Sequence, residues 1–130
     1  MRKAIFCGVL ISIILMSCSK STSPWTGTYT GSGASNTVNR VIINPNGSNL
    51  QLQLQVLYSG AYYTYATIQN AAVSGNTLTV NETGLLYGST ATYRFVGTGA
   101  LSGNNLILTG SATNTTNSSD VRYYYFSGNK

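Results

Sequence analysis

The chain reads as an all-β protein, an eight-stranded antiparallel up-and-down meander that closes into a barrel. Three observations predict it. The stretch Ser74-Gly75-Asn76-Thr77-Leu78 has near-copies at Asn46-Gly47-Ser48-Asn49-Leu50 and Ser102-Gly103-Asn104-Asn105-Leu106. Gly47, Gly75 and Gly103 are 28 residues apart in both steps, as are Leu50, Leu78 and Leu106. Such a fixed period marks one hairpin used repeatedly. Next, Leu50-Gln51-Leu52-Gln53-Leu54-Gln55-Val56 alternates strictly, as a half-buried strand does. Finally, no helical periodicity follows Trp25; runs rich in Tyr, Thr, Val and Ile alternate with clusters of Gly, Asn and Ser. About eight strands is also the number at which an antiparallel sheet closes and loses its edges. A two-layer β-sandwich and an elongated repeat sheet are the alternatives.

Residues 1–17 read as an address. Arg2 and Lys3 precede an apolar run from Ile5 to Leu15, too short for a membrane span. Leu15-Met16-Ser17-Cys18 then resembles a bacterial lipobox. The resemblance implies cleavage before Cys18 and acylation of that cysteine, palmitate included, which would anchor the chain durably. Residues 18–24 become the lipidated cysteine and a polar tether, and 25–130 the domain. The opening Cys18-Ser19-Lys20 is similar to that of Bacteroidota-like outer-membrane lipoproteins. Ser19 in place of an aspartate points to the outer membrane and leaves the leaflet open.

The expected strands are 25–31, 38–44, 50–57, 62–70, 78–83, 91–99, 106–112 and 121–127. The first carries Trp25-x-Gly27-x-Tyr29, which resembles the first strand of lipocalin-like (calycin) domains. That resemblance implies a closed barrel plugged at one end by Trp25. In that family a basic residue from the end of the last strand stacks on the tryptophan. Here Arg122 lies at the start of that strand.

Phase assigns the faces. Leu101 should pair with Leu106, and Val73 with Leu78, across tight links. The inner face then collects Val41, Ile43, Leu50, Leu52, Leu54, Tyr63, Tyr65, Leu78, Val80, Tyr93, Phe95, Leu106 and Leu108. Extending the period from Phe95 and Gly97 adds Tyr123 and Tyr125. Gly97, Gly99 and Gly110 fall on the same face, where glycine marks a bend or a close approach. Arg40, Arg94 and Arg122 fall outside, as charges should. Glu82 falls in phase with Leu78 and Val80; unless the strand ends there, it needs a partner.

Composition excludes more than it assigns. There is no histidine, and both cysteines, Cys7 and Cys18, lie near the N-terminus, ahead of the domain. Metal sites built on His or Cys, Ser-His and Cys-His pairs and internal disulfides are therefore absent from the domain, and no cofactor is expected. Glu82 and Asp120 are the only acids, and nothing in the sequence brings them together, so no enzyme is expected. Losing Arg2 and Lys3 lowers the formal charge from +5 to +3. Without a basic run this is no nucleic-acid footprint.

The ten tyrosines are the richest signal. Tyr63, Tyr65, Tyr93, Phe95, Tyr123 and Tyr125 are the candidate lining of an interior site for a small apolar or aromatic ligand. The same rings could equally fill a core short of large aliphatics. A filled barrel would make the protein a structural or protein-interaction component of the envelope. The expected address is the cell envelope, with the membrane as partner through lipid on Cys18.

Overall fold

The computed structural model describes residues 24–130. Residues 1–23, which hold the expected signal peptide, Cys18 and the tether up to Ser23, lie outside the described residues. The body forms β1 (Gly27–Gly31), β2 (Arg40–Asn46), β3 (Asn49–Tyr58), β4 (Ala61–Ser74), β5 (Thr77–Leu85), β6 (Thr92–Ser102), β7 (Asn105–Asn114) and β8 (Val121–Asn129). Each pairs antiparallel with the next, and β1 pairs with β8, so the sheet is a closed up-and-down barrel.

The repeated stretch is the hairpin turn. Asn46 pairs with Asn49, Ser74 with Thr77 and Ser102 with Asn105, leaving two residues in each loop. Gly47, Gly75 and Gly103 have φ of 63°, 59° and 60°. A positive φ at the first loop position alone is the type II′ pattern, whose twist matches the strands. The expected pairs Leu101–Leu106 and Val73–Leu78 are both present.

These turns and both ends of the described chain share one end of the barrel, the turn end. Trp25 is buried there. Lys130, just past β8, donates from Nζ to the carbonyls of Pro24 and Thr26 at 2.8 and 2.9 Å, and sits 5.3 Å from the ring centre of Tyr29. The basic residue at the end of the last strand is thus Lys130, not Arg122. The links 32–39, 59–60, 86–91 and 115–120 form the opposite, open end.

The inner face of β2, β3, β5, β6 and β7 follows the expected phase. Val41, Ile43, Leu50, Leu52, Leu54, Leu78, Val80, Tyr93, Phe95, Leu106 and Leu108 are all buried. Arg40 and Arg94 lie outside: Arg40 stacks 3.8 Å from the ring centre of Tyr62, and Arg94 bonds Asn81.

β8 departs from the expected register. Leu106 pairs with Gly128, Leu108 with Phe126 and Gly110 with Tyr124. Tyr124 and Phe126 therefore point inward and are buried, whereas Tyr123 is 76% exposed and Tyr125 half-buried. The 28-residue period cannot be carried across link 115–120, which is not a two-residue turn. The physical selector is the glycine pair Gly97–Gly110, adjacent on β6 and β7. A Cβ at either glycine would collide with Tyr124 Oη, so the ring occupies the space that the two glycines leave. The same shift puts Arg122 opposite buried Ala112, on the inner phase, but at the open end, where its side chain still reaches solvent.

β4 departs too, through two bulges. Leu54 pairs with Ala66 but Gln55 with Thr64, which leaves Tyr65 as the extra residue. Leu52 pairs with Ile68 but Leu50 with Ala71, so Gln69 and Asn70 together face Gln51. Ala66, Ile68 and Ala71 take the core positions. Tyr63 lies opposite Val56, above the core at the open end and 46% exposed.

Candidate functional site

The seam between β4 and β5 is only partly laced. The ladder runs from Ser74–Thr77 to Ala72–Thr79 and then stops. It resumes at the single bridge Ala66–Leu86, with Tyr87 N–H donating to Tyr65 C=O at 2.9 Å. Between these points β5 pairs only with β6. Glu82 explains how the seam tolerates this. It lies on the inner phase opposite Phe95, and β5 continues past it to Leu85, so the strand does not end there. Its carboxylate oxygens accept the N–H groups of Gln69 and Asn70 at 3.0 and 2.7 Å. Those are the two amides of the second bulge, and charge-assisted bonds replace the missing backbone carbonyls. The inward acid thus has its partner.

Beside this staple the seam opens into a hollow of about 510 Å³, reaching from Gln69 and Glu82 to Tyr87 and Ser89. Thr64, Thr67, Thr83, Leu85 and Leu86 also line it. Tyr87 is shared with a second hollow of about 480 Å³, lined by Val56, Tyr58, Tyr63 and Tyr87. The rings of Tyr58 and Tyr87 are 74% and 77% exposed. Large apolar side chains on the surface concentrate here. Among the described residues eight are strongly exposed, and Leu57, Tyr58, Tyr63, Leu85, Tyr87 and Tyr123 belong to the open end. A clustered apolar surface of this kind marks a binding site more often than scattered residues do.

A third group lies on the open rim near the start of β8. Tyr93 Oη donates to Asp120 Oδ2 at 2.7 Å, Asn114 Nδ2 donates to the same oxygen at 3.3 Å, and Arg122 Nε lies 3.4 Å from Oδ1. The Arg122 guanidinium stands 5.6 Å from the ring centre of Tyr93. The bond from Tyr93, then those from Asn114 and Arg122, hold the Asp120 carboxyl below the usual carboxylate range. Burial pushes the Tyr65 hydroxyl up, and nearby Arg122 opposes that. Among the described residues no three His, Cys, Asp or Glu side chains gather as a metal site would require.

The six rings expected to line one interior site are not brought together. Tyr93 and Phe95 are in the packed core. Tyr63 and Tyr65 line separate hollows. Tyr123 is on the outer face, and Tyr125 lends its backbone carbonyl to the N–H groups of Thr37 and Val38. The barrel axis is occupied by Trp25, Tyr29, Phe95, Tyr124 and Phe126. Burial pushes the Tyr124 hydroxyl far up, and it donates to Val96 C=O at 3.2 Å. Tyr58, Leu85 and Tyr87 escaped the phase argument because they flank links. Their signal was a large ring or aliphatic beside a link glycine, as in Tyr58-Ser59-Gly60 and Tyr87-Gly88.

No protein-family model matches the chain, and neither a curated protein nor a solved structure is significantly similar to it. The closed eight-stranded barrel is compatible with a lipocalin-like fold.

Proposed function

We propose that this chain is a non-catalytic binding module of the cell envelope, anchored by lipid on Cys18, that takes a small ligand at its open end. The site is the pair of hollows around Tyr87, not the barrel axis. One observation carries this reading: the exposed rings of Tyr58, Tyr63 and Tyr87 line one hollow of ligand size and Tyr87 borders a second, while the rings along the axis are already packed. The two acids support a non-catalytic role, since Glu82 is engaged by two amides and Asp120 by Tyr93, Asn114 and Arg122.

A second reading is favoured by the filled axis: an envelope component that docks a protein through the same rings. The test is a ligand screen by saturation-transfer NMR on the full-length protein in nanodiscs, with empty nanodiscs as reference. Small-molecule hits that vanish in Tyr87→Ala are expected. A broad screen with no hit would overturn the binding reading in favour of the second. Trp25 is a poor reporter for such a screen, because it is buried at the turn end.

A further inference from the structure

The chemistry of the two hollows says what kind of molecule fits them; the step rests on the proposed open-end site. Neither lining contains a lysine or arginine, and the nearby Arg122 is already paired with Asp120, so a phosphate or carboxylate would find no free counter-charge in the wall. The one acid, Glu82, accepts a single N–H on each oxygen, from Gln69 and Asn70, so its remaining lone pairs can take hydroxyl donors from a neutral ligand without breaking the staple. The lining therefore suits a neutral ligand that carries hydroxyl donors.

It is not simply apolar either. The hydroxyl-bearing Thr67, Thr83 and Ser89 line the seam hollow, together with Gln69. Its β5 wall has no β4 ladder partner between Thr79 and Leu86, so backbone groups add to the polar wall. A purely hydrocarbon ligand would strip water from these groups and return no hydrogen bonds, at a cost for each. The neighbouring hollow is the reverse: three tyrosine rings and a valine. A ligand matched to both has a flat C–H face for rings and uncharged hydroxyls for threonines and backbone. Each tyrosine is itself suited to such a molecule, with an apolar face and a polar tip.

We propose that the open-end site binds a neutral saccharide. One sugar packs its C–H face on the tyrosine rings about Tyr87, and the hydroxyls of the same or the next sugar bond along the seam at Thr67, Thr83 and Ser89.

The experiment is calorimetric titration of the full-length protein in nanodiscs with cellotetraose, maltotetraose and, separately, indole as a neutral aromatic probe. The expected result is binding of at least one tetrasaccharide, weakened about tenfold or more in Tyr87→Ala. Thr83→Val keeps shape and removes the hydroxyl. It should weaken the saccharide severalfold and leave indole unchanged. Ile107→Ala, on the outer face of β7 away from both hollows, should change neither. If indole binds in a Tyr87-dependent way and no saccharide does, the saccharide assignment is overturned while the open-end site stands. If neither binds, both fall.

Discussion

At the scale of single residues, Asp120 shows how a charge of the described residues is fixed. Its carboxylate closes link 115–120 onto the barrel through Tyr93, Asn114 and Arg122. These partners favour the ionised form, and the bond from Tyr93 is the largest cause of the lowered pKa. A depressed acid contributes stability that is fully present above its unfolded value, here 3.8, and is lost as pH falls through the lower folded value. The link should therefore stay closed at neutral and mildly acidic pH and loosen only below that range. NMR titration of the Asp120 carboxyl carbon should give a midpoint below 3.8, moving up toward it in Tyr93→Phe. A midpoint unmoved by that substitution would refute the role given to Tyr93. None of this was legible in the sequence, where Asp120 stands in a run of Asn, Ser and Thr and Tyr93 is distant along the chain.

At the scale of elements, what could be read in advance was whatever two-residue turns transmit. The turns at Gly47, Gly75 and Gly103 fix pairing residue by residue, so the phases of β3, β5 and β7 were legible from Leu50, Leu78 and Leu106. Phase was lost wherever the backbone inserts a residue or a longer link. β4 carries two bulges, and the amides of the second are held not by its own residues but by a carboxylate from β5. β8 is set by the Tyr124 ring settling on Gly97 and Gly110, a tertiary fit that no local pattern announces. The Glu82 staple yields a direct prediction. Glu82→Ala removes two charge-assisted bonds at a site that water reaches, so the cost should be roughly 1–2 kcal/mol, at the low end for such bonds. The loss should be local. Hydrogen exchange should quicken at Gln69 and Asn70 while Leu106 and Leu108, two strands beyond β5 on β7, keep their protection. Uniform acceleration across all strands would mean that Glu82 supports the whole fold rather than the seam.

At the scale of the whole molecule, the barrel has two unlike ends, and the proposed lipid on Cys18 would decide which one faces a membrane. Pro24 is tied to the turn end through its carbonyl, which accepts from Lys130. From Cys18 to Pro24 the chain can span at most about 20 Å. Strands of this length, tilted as barrels require, give a wall roughly 25 Å tall. A lipid on Cys18 would therefore hold the turns at Gly47, Gly75 and Gly103 near the bilayer and carry Tyr58, Tyr63 and Tyr87 on the side facing away. The prediction has two parts. Intact mass of the membrane fraction should show a chain beginning at Cys18 with acyl chains attached, and Cys18→Ala should abolish both the mass and the anchoring. With Cys18 acylated and Cys7 removed, single cysteines at Asn76→Cys and Ser118→Cys can be labelled selectively. In nanodiscs containing a lipid-borne quencher, the label at position 76 should be quenched more strongly than the label at position 118. Equal or reversed quenching would mean that the barrel lies on its side or is anchored otherwise, and the open end would then not be the face offered to ligands arriving from solution.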